Sequence, residues 1–207
     1  MITVILMAIA YILGSIPNAV WIGKAFKGID VREHGSKNAG STNAARVLGA
    51  KLGIFTLVLD ISKGAFPVFL ALLLKAQSLE NILGISGIDT VLVGICAIVG
   101  HSFSVFMKFK GGKAVATTVG VFIVIVPKAP LLAAVVFFTV FALTKYVSLS
   151  SITGAASLPI LVYLLYSDIP YTVFAGIVAF LIIIRHRSNI SRLIKGEESK
   201  FKIRKNK

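Results

Sequence analysis

Three stretches of this chain carry residue types that can hold charged groups. The first is Gly35-Ser36-Lys37-Asn38-Ala39-Gly40-Ser41-Thr42-Asn43-Ala44-Ala45-Arg46, small, polar and basic between two long apolar runs. Glycine-freed amides, hydroxyls and cations together suit a phosphate group. Asn43-Ala44-Ala45-Arg46 predicts the start of a helix whose orphan N–H groups face that concavity. The second stretch, Lys108-Phe109-Lys110-Gly111-Gly112-Lys113, sets three lysines around a glycine pair. It lacks the G-x-x-x-x-G-K-[ST] spacing of a Walker loop. The third is Arg185-His186-Arg187-Ser188-Asn189-Ile190-Ser191-Arg192. The spacing predicts His186 and Asn189 on one helix face, and Arg185, Asn189 and Arg192 on another. Val147-Ser148-Leu149-Ser150-Ser151 reads as a hydroxyl-rich turn. Taken singly, each stretch also reads as an ordinary basic loop at a membrane surface.

Brought together, these residues are expected to hold anions, two phosphates among them, because cations, hydroxyls and amides far outnumber carboxylates. Asp30 and Glu33 are the only acids of the first loop. Clustered His, Cys or Asp ligands are missing, so no metal or other cofactor is expected. Flanking Arg185 and Arg187 favour a neutral His186 imidazole, able to accept a proton or a hydrogen bond. Acyl transfer to glycerol phosphates often uses a histidine with an acid at the fifth place after it. His34, His101 and His186 instead meet Ala39, Phe106 and Ser191 there, so that chemistry is unsupported.

The elements that must position these groups are membrane helices. The 207 residues are 57% hydrophobic, with a mean hydropathy of +0.91. The apolar residues fall in long runs, which predicts an all-α polytopic membrane protein of one domain over residues 1–207. Seven transmembrane helices are expected at about 3–23, 52–74, 87–107, 113–126, 130–145, 152–166 and 171–184. The first is a retained span, since a basic leader and an A-x-A cleavage site are missing. Pro127-Lys128-Ala129-Pro130 splits one apolar block into two pieces short of about 20 residues, either two short spans or a re-entrant hairpin. Asp60 and Lys63 lie three apart on one helix face at membrane depth. They read as a neutralised pair holding helices together, with a functional role as the counter-reading. Cys96, the one cysteine, reads as packing.

The net charge is +14. With seven alternating crossings, 19 of the 22 Lys and Arg fall on one face, which the positive-inside rule makes cytoplasmic. The N-terminus is then outside and the C-terminus cytoplasmic. The cations therefore read as topology and as contacts to membrane lipid, and no nucleic-acid motif accompanies them. Every phosphate-shaped stretch lands on that one cytoplasmic face.

Four motifs, in this order, resemble one family. They are Gly35-Ser36-x-Asn38-x-Gly40-x-Thr42-Asn43-x-x-Arg46; Asp60-x-x-Lys63-Gly64; Gly100-His101-x-Phe103 running on to Phe109-Lys110-Gly111-Gly112-Lys113; and Arg185-His186-Arg187-x-Asn189-Ile190-x-Arg192-Leu193-x-x-Gly196. The set is similar to the bacterial acyl-phosphate-dependent glycerol-3-phosphate acyltransferase family and spans nearly the whole chain. Ser41 and Lys37 depart from it, standing where alanine and glycine are common. The resemblance implies a seven-helix enzyme of the bacterial inner membrane with a cytoplasmic-side site. It would move an acyl group from acyl phosphate to the 1-hydroxyl of glycerol 3-phosphate, without acyl-CoA or acyl carrier protein. It places Ser36, Arg46, Lys113, His186 and Asn189 at the catalytic positions. Gly40, Thr42, Asn43, Lys110, Gly111, Gly112 and Ser151 would bind substrate and phosphate. A monomer is expected. A transporter for a phosphorylated solute is the competing class, since it too needs a basic pocket between helices, although no internal repeat is visible. A lipid-binding scaffold would need the basic face but not the glycines.

Overall fold

The computed structural model describes residues 2–76 and 79–201. The lysine-rich end of the tail, 202–207, and part of the link expected over Lys75–Ser86 lie outside the described residues. Eleven α-helices and no strand are found among the described residues. In chain order they are α1 (Ile2–Ser15), α2 (Asn18–Lys27), α3 (Ser41–Leu48), α4 (Ala50–Leu73), α5 (Glu80–Leu83), α6 (Ile88–Ser102), α7 (Val115–Ile125), α8 (Lys128–Thr144), α9 (Val147–Tyr166), α10 (Ile169–Arg185) and α11 (Arg187–Ile194).

The first expected span is bent. Pro17 has no N–H to give, and α1 and α2 meet there at 43°. The carbonyl of Ile16 at this break accepts a bond from Lys63 Nζ on α4 at 2.7 Å. Lys63 also pairs with Asp60 Oδ1 at 2.9 Å, and Asn18 Nδ2 donates to that same oxygen at 2.9 Å. The Asp60–Lys63 pair thus holds α4 against the α1–α2 bend, by the need of buried charges for partners.

Close backbone approach joins the helices elsewhere. A Cβ on Gly14 would strike the Ala97 backbone, and one on Gly100 would strike the Tyr11 carbonyl, so α1 and α6 pack through glycine. Gly64 and Gly120 do the same between α4 and α7. The main core cluster includes Phe122 and Phe174, stacked with ring centroids 4.8 Å apart, and Cys96 packs against its edge. Outward faces are apolar: Leu143 is 80% exposed, Leu164 70% and Phe180 66%. Such faces suit lipid, in which helices satisfy their own backbone groups.

Three helical stretches are long and apolar enough to cross a membrane alone: Ala50–Leu73, Ile88–Met107 and Val147–Tyr166. The bent pairs α1–α2 and α10–α11 raise the number to five. α7 and α8 are shorter, at 11 and 17 residues. At 1.5 Å per residue, α7 covers about 16 Å of a hydrocarbon core about 30 Å thick. Two expectations need correction. Val147 to Ser151 are not a turn but the first helical residues of α9, whose N-cap is Tyr146. Arg185, Asn189 and Arg192 do not share one helix, because the chain bends by 60° between α10 and α11 with His186 at the break.

Candidate active site

The first loop is organised by Asn43. Its Oδ1 accepts the Ser36 N–H at 2.8 Å, and its Nδ2 donates to the carbonyls of Val31, His34 and Asn38 at 2.7 to 3.1 Å. Asn43 is 1% exposed, so its amide shapes the loop and offers nothing to a ligand. Gly35 adopts φ 59°, and a Cβ there would strike Asn43 Oδ1. α3 begins at Ser41, two residues before the expected start, with Gly40 as its N-cap. Asn43 and Ala44 donate to the Gly40 carbonyl, which leaves the N–H groups of Ser41 and Thr42 as the orphans of this helix end. An open cleft of about 500 Å³ lies against the loop, lined by Gly35, Ser36, Lys37, Arg46, Arg192 and the segment Glu198–Lys200. Gly40 and Thr42 stand at the α3 start and are not among these lining residues.

The glycines of the second loop act through packing rather than as a phosphate cradle. Gly111 N donates to Ser102 O at 3.1 Å and Gly112 N to His101 O at 3.0 Å, so both amides are used within the protein. A Cβ on Gly111 would strike the His101 carbonyl, and one on Gly112 the His101 ring. Arg185 grips the other side of the same loop, donating to Gly111 O at 2.8 Å and Gly112 O at 3.1 Å. Its guanidinium also lies over the Phe103 ring. This double clamp places Lys113, while Lys110 stays exposed.

Lys113 Nζ donates to Asn189 Oδ1. Asn189 Nδ2 donates to Glu198 Oε1 at 2.7 Å. Glu198 also accepts from Ser148 Oγ at 2.7 Å and from Arg192 Nε at 2.7 Å. Glu198 is the residue that sequence reasoning missed. The available signal was an acid in a basic tail, two residues past Gly196, whose φ of 70° turns the chain back. Ser148 of α9 makes the contact to Glu198, and Ser151 lies buried one turn further on. Glu198 joins the Lys113–Asn189 pair to the cleft, since it belongs to both.

The electrostatics fix protonation states. Burial pushes the Lys113 ammonium down to about 8; Glu198 opposes this while Arg192, Arg185 and Arg46 reinforce it. Burial, then the Lys113 charge, lowers the His186 imidazole to about 4. Its Nδ1 sits 2.8 Å from the Ile182 carbonyl, which can only accept, so Nδ1 carries the hydrogen. Nε2 is left as a lone-pair acceptor at neutral pH. Burial raises the Glu198 carboxyl, but bonds from Asn189, Ser148 and Arg192 outweigh it and hold the group below the ordinary glutamate range. Among the described residues no group of three or more His, Cys, Asp or Glu side chains comes together.

A basic cleft, a neutral imidazole and a lysine–amide–carboxylate chain at one end of an apolar helical bundle define a membrane protein built to hold anionic groups. The profile of the family described as glycerol-3-phosphate acyltransferase matches residues 4–196. A glycerol-3-phosphate acyltransferase of Fusobacterium nucleatum is 47% identical over 196 residues, covering 95% of this chain and 96% of its own. One of Staphylococcus carnosus is 45% identical, covering 98% and 99%. The crystal structure of PlsY (YgiH), an integral membrane glycerol 3-phosphate acyltransferase, superposes in its glycerol 3-phosphate form with a TM-score of 0.88. It is 36% identical and covers 98% of this chain and 96% of that one. Its lysophosphatidic acid form gives a TM-score of 0.86. The chain belongs to the glycerol-3-phosphate acyltransferase family.

Proposed function

We propose that this protein transfers a fatty acyl group from acyl phosphate to the 1-hydroxyl of sn-glycerol 3-phosphate. The products are 1-acylglycerol 3-phosphate (lysophosphatidate) and inorganic phosphate, the first step of membrane phospholipid synthesis. The observation that carries this reading is the neutral His186 beside the Lys113–Asn189–Glu198 chain, which Glu198 connects to the Ser36–Arg46 cleft. Two phosphates need balanced cations and a hydroxyl needs an acceptor, and this arrangement supplies both.

An acyl phosphate is already activated, so no serine ester is needed. The substrate hydroxyl oxygen attacks the acyl carbonyl carbon. The bond from that carbon to the phosphate oxygen breaks, and phosphate leaves with the electron pair. Arg46 and Lys113 neutralise the growing charge, and Ser36 at the cleft holds phosphate oxygens. Asn189 orients Lys113. His186 Nε2 accepts a hydrogen bond from glycerol 3-phosphate, whose own phosphate takes the proton released in the attack. Positioning two substrates supplies much of the rate in such a design.

The wider setting belongs to the same proposal. The chain is a monomeric single domain of the bacterial inner membrane with its basic face cytoplasmic. α1–α2, α4, α6, α7, α8, α9 and α10 are the seven crossings, with α7 and α8 as short ones. The support is the distribution of Lys and Arg, which puts the second loop, Lys145 and the tail on the side of the first loop.

The test is purified protein in lipid, given palmitoyl phosphate and glycerol 3-phosphate, with palmitoyl-CoA as a parallel donor. Lysophosphatidate and phosphate from palmitoyl phosphate alone are expected. Product from palmitoyl-CoA alone would refute the donor. No product from either donor, with labelled glycerol 3-phosphate still bound, would favour the transporter.

A further inference from the structure

The segment after α11 is a strap laid across the cleft. Gly196 reverses the chain, and Glu198 is fastened by Asn189, Ser148 and Arg192. Three residues on, the Phe201 N–H donates to the Lys145 carbonyl at 2.9 Å, at the break between α8 and α9. Between these anchors the strap touches Arg46 twice. The Ser199 carbonyl accepts from Arg46 Nη2 at 3.2 Å, and the Arg46 guanidinium sits 5.7 Å from the centre of the Phe201 ring. Phe201 is itself held edge-on by Phe141 of α8, ring centroids 6.0 Å apart.

Arg46 lies in the last turn of α3, an eight-residue helix. A long side chain there has many rotamers, and fixing it costs side-chain entropy. The strap removes that freedom before any anion arrives. One carbonyl takes one terminal nitrogen, an aromatic face supports the guanidinium plane, and the remaining donors stay free for a phosphate.

The geometry points to Phe201 as a positioning residue: with the Ser199 carbonyl it pre-orients Arg46, so the anion site is completed by the strap. This rests on the acyltransferase reading for its consequence in turnover, but not for its consequence in anion binding. Packing of Phe201 on Phe141 alone would predict a role for any apolar side chain. Support of a guanidinium predicts a requirement for an aromatic face.

The experiment measures inorganic phosphate binding by calorimetry, and KM and kcat with palmitoyl phosphate and glycerol 3-phosphate, on full-length protein in lipid. Phe201→Ala should weaken phosphate binding about tenfold and raise KM in step, with kcat changed less, as expected for a lost cation–π support. Phe201→Tyr should stay within about twofold of the parent, and Phe201→Leu should behave like Phe201→Ala. Because Phe201 acts through the Arg46 cation, adding Phe201→Ala to Arg46→Met should cost almost nothing beyond Arg46→Met alone. Unchanged phosphate binding in Phe201→Ala, full rescue by leucine, or additive losses in the double variant would each overturn the inference. A parent protein that binds phosphate but makes no lysophosphatidate would sink the acyltransferase reading and leave the anion-binding comparison intact.

Discussion

Glu198 carries a negative charge among Lys113, Arg192 and Arg46, and its bonds orient Asn189 toward Lys113. Glu198→Gln keeps the shape but removes the charge. It should cut kcat/KM about 10- to 100-fold, the range for a lost charged hydrogen bond. Glu198 also raises the Lys113 pKa, so its removal should move the alkaline limb of kcat/KM to lower pH. In the parent protein that limb should fall near pH 8, because Lys113 is charged below its pKa and neutral above it. The acid limb should fall at about pH 6, where the substrate phosphate that takes the proton is itself protonated, while His186 stays neutral down to about pH 4. An alkaline limb that stays in place in Glu198→Gln would show that Lys113 does not report it. His186→Ala should raise the KM for glycerol 3-phosphate about tenfold and spare most of kcat, as loss of a positioning bond does. A collapse of kcat at unchanged KM would make His186 the base. At this scale, Ser36, Arg46, Lys113, His186 and Asn189 could be singled out in the sequence because residue types that hold anions are scarce in an apolar chain; the structure sets Ser36 with Arg46 at one cleft and Lys113 with Asn189 in one hydrogen bond. Asn43, Gly111 and Gly112 were misread, because a sequence cannot show that an amide is already bonded at home.

The helices were legible from their apolar runs, which is how length and hydropathy mark lipid-facing elements. Their breaks were not. Pro17 signalled a kink, and the bend follows, but nothing local marks the 60° turn at His186 that sends Arg185 to the second loop and leaves Asn189 with Lys113. That turn depends on partners 70 and more residues away in the chain. Two variants probe elements. Gly112→Ala inserts a methyl against the His101 ring, displacing the loop that carries Lys113. Overpacking of this kind costs about 1–3 kcal/mol. Activity should fall further than thermal stability in lipid, since the clamp by Arg185 still ties the loop down. Lys63→Met leaves Asp60 buried with Asn18 as its remaining strong partner. It should destabilise the protein by about 3–5 kcal/mol, the range for breaking a buried pair. Lys63→Met with Asp60→Asn should recover part of that loss in the same melting assay, and no recovery would argue that Lys63 acts through the Ile16 carbonyl alone.

Over the whole molecule, charge and hydropathy separate into a basic end and an apolar girdle, which is why the class of protein could be read before any contact was known. Sidedness is tested with the Cys96→Ala protein, which has no cysteine. Single cysteines at the exposed positions Lys51 and Lys128 should behave oppositely in intact cells. An impermeant thiol reagent should label Lys128→Cys from outside and reach Lys51→Cys only after the cells are opened. Labelling of both from one side would mean that the apolar block split at Pro127 does not cross. That α7 is short was legible from the break at Pro127, but its late start was not: Ala114 takes a left-handed φ of 59°, so the helix begins at Val115 rather than at 113.

Ribosomes make a chain from one end, and here the order has weight. Every apolar helix is complete before Glu198 is added, yet Glu198 and Phe201 tie together α11, the α8–α9 junction and Arg46 of α3. A nascent chain therefore meets the bilayer with its anion site unfinished, and competence arrives once Glu198 to Phe201 have followed α11. Clipping by a protease just beyond α11 would return a fully inserted protein to that immature condition, silencing it without unfolding it.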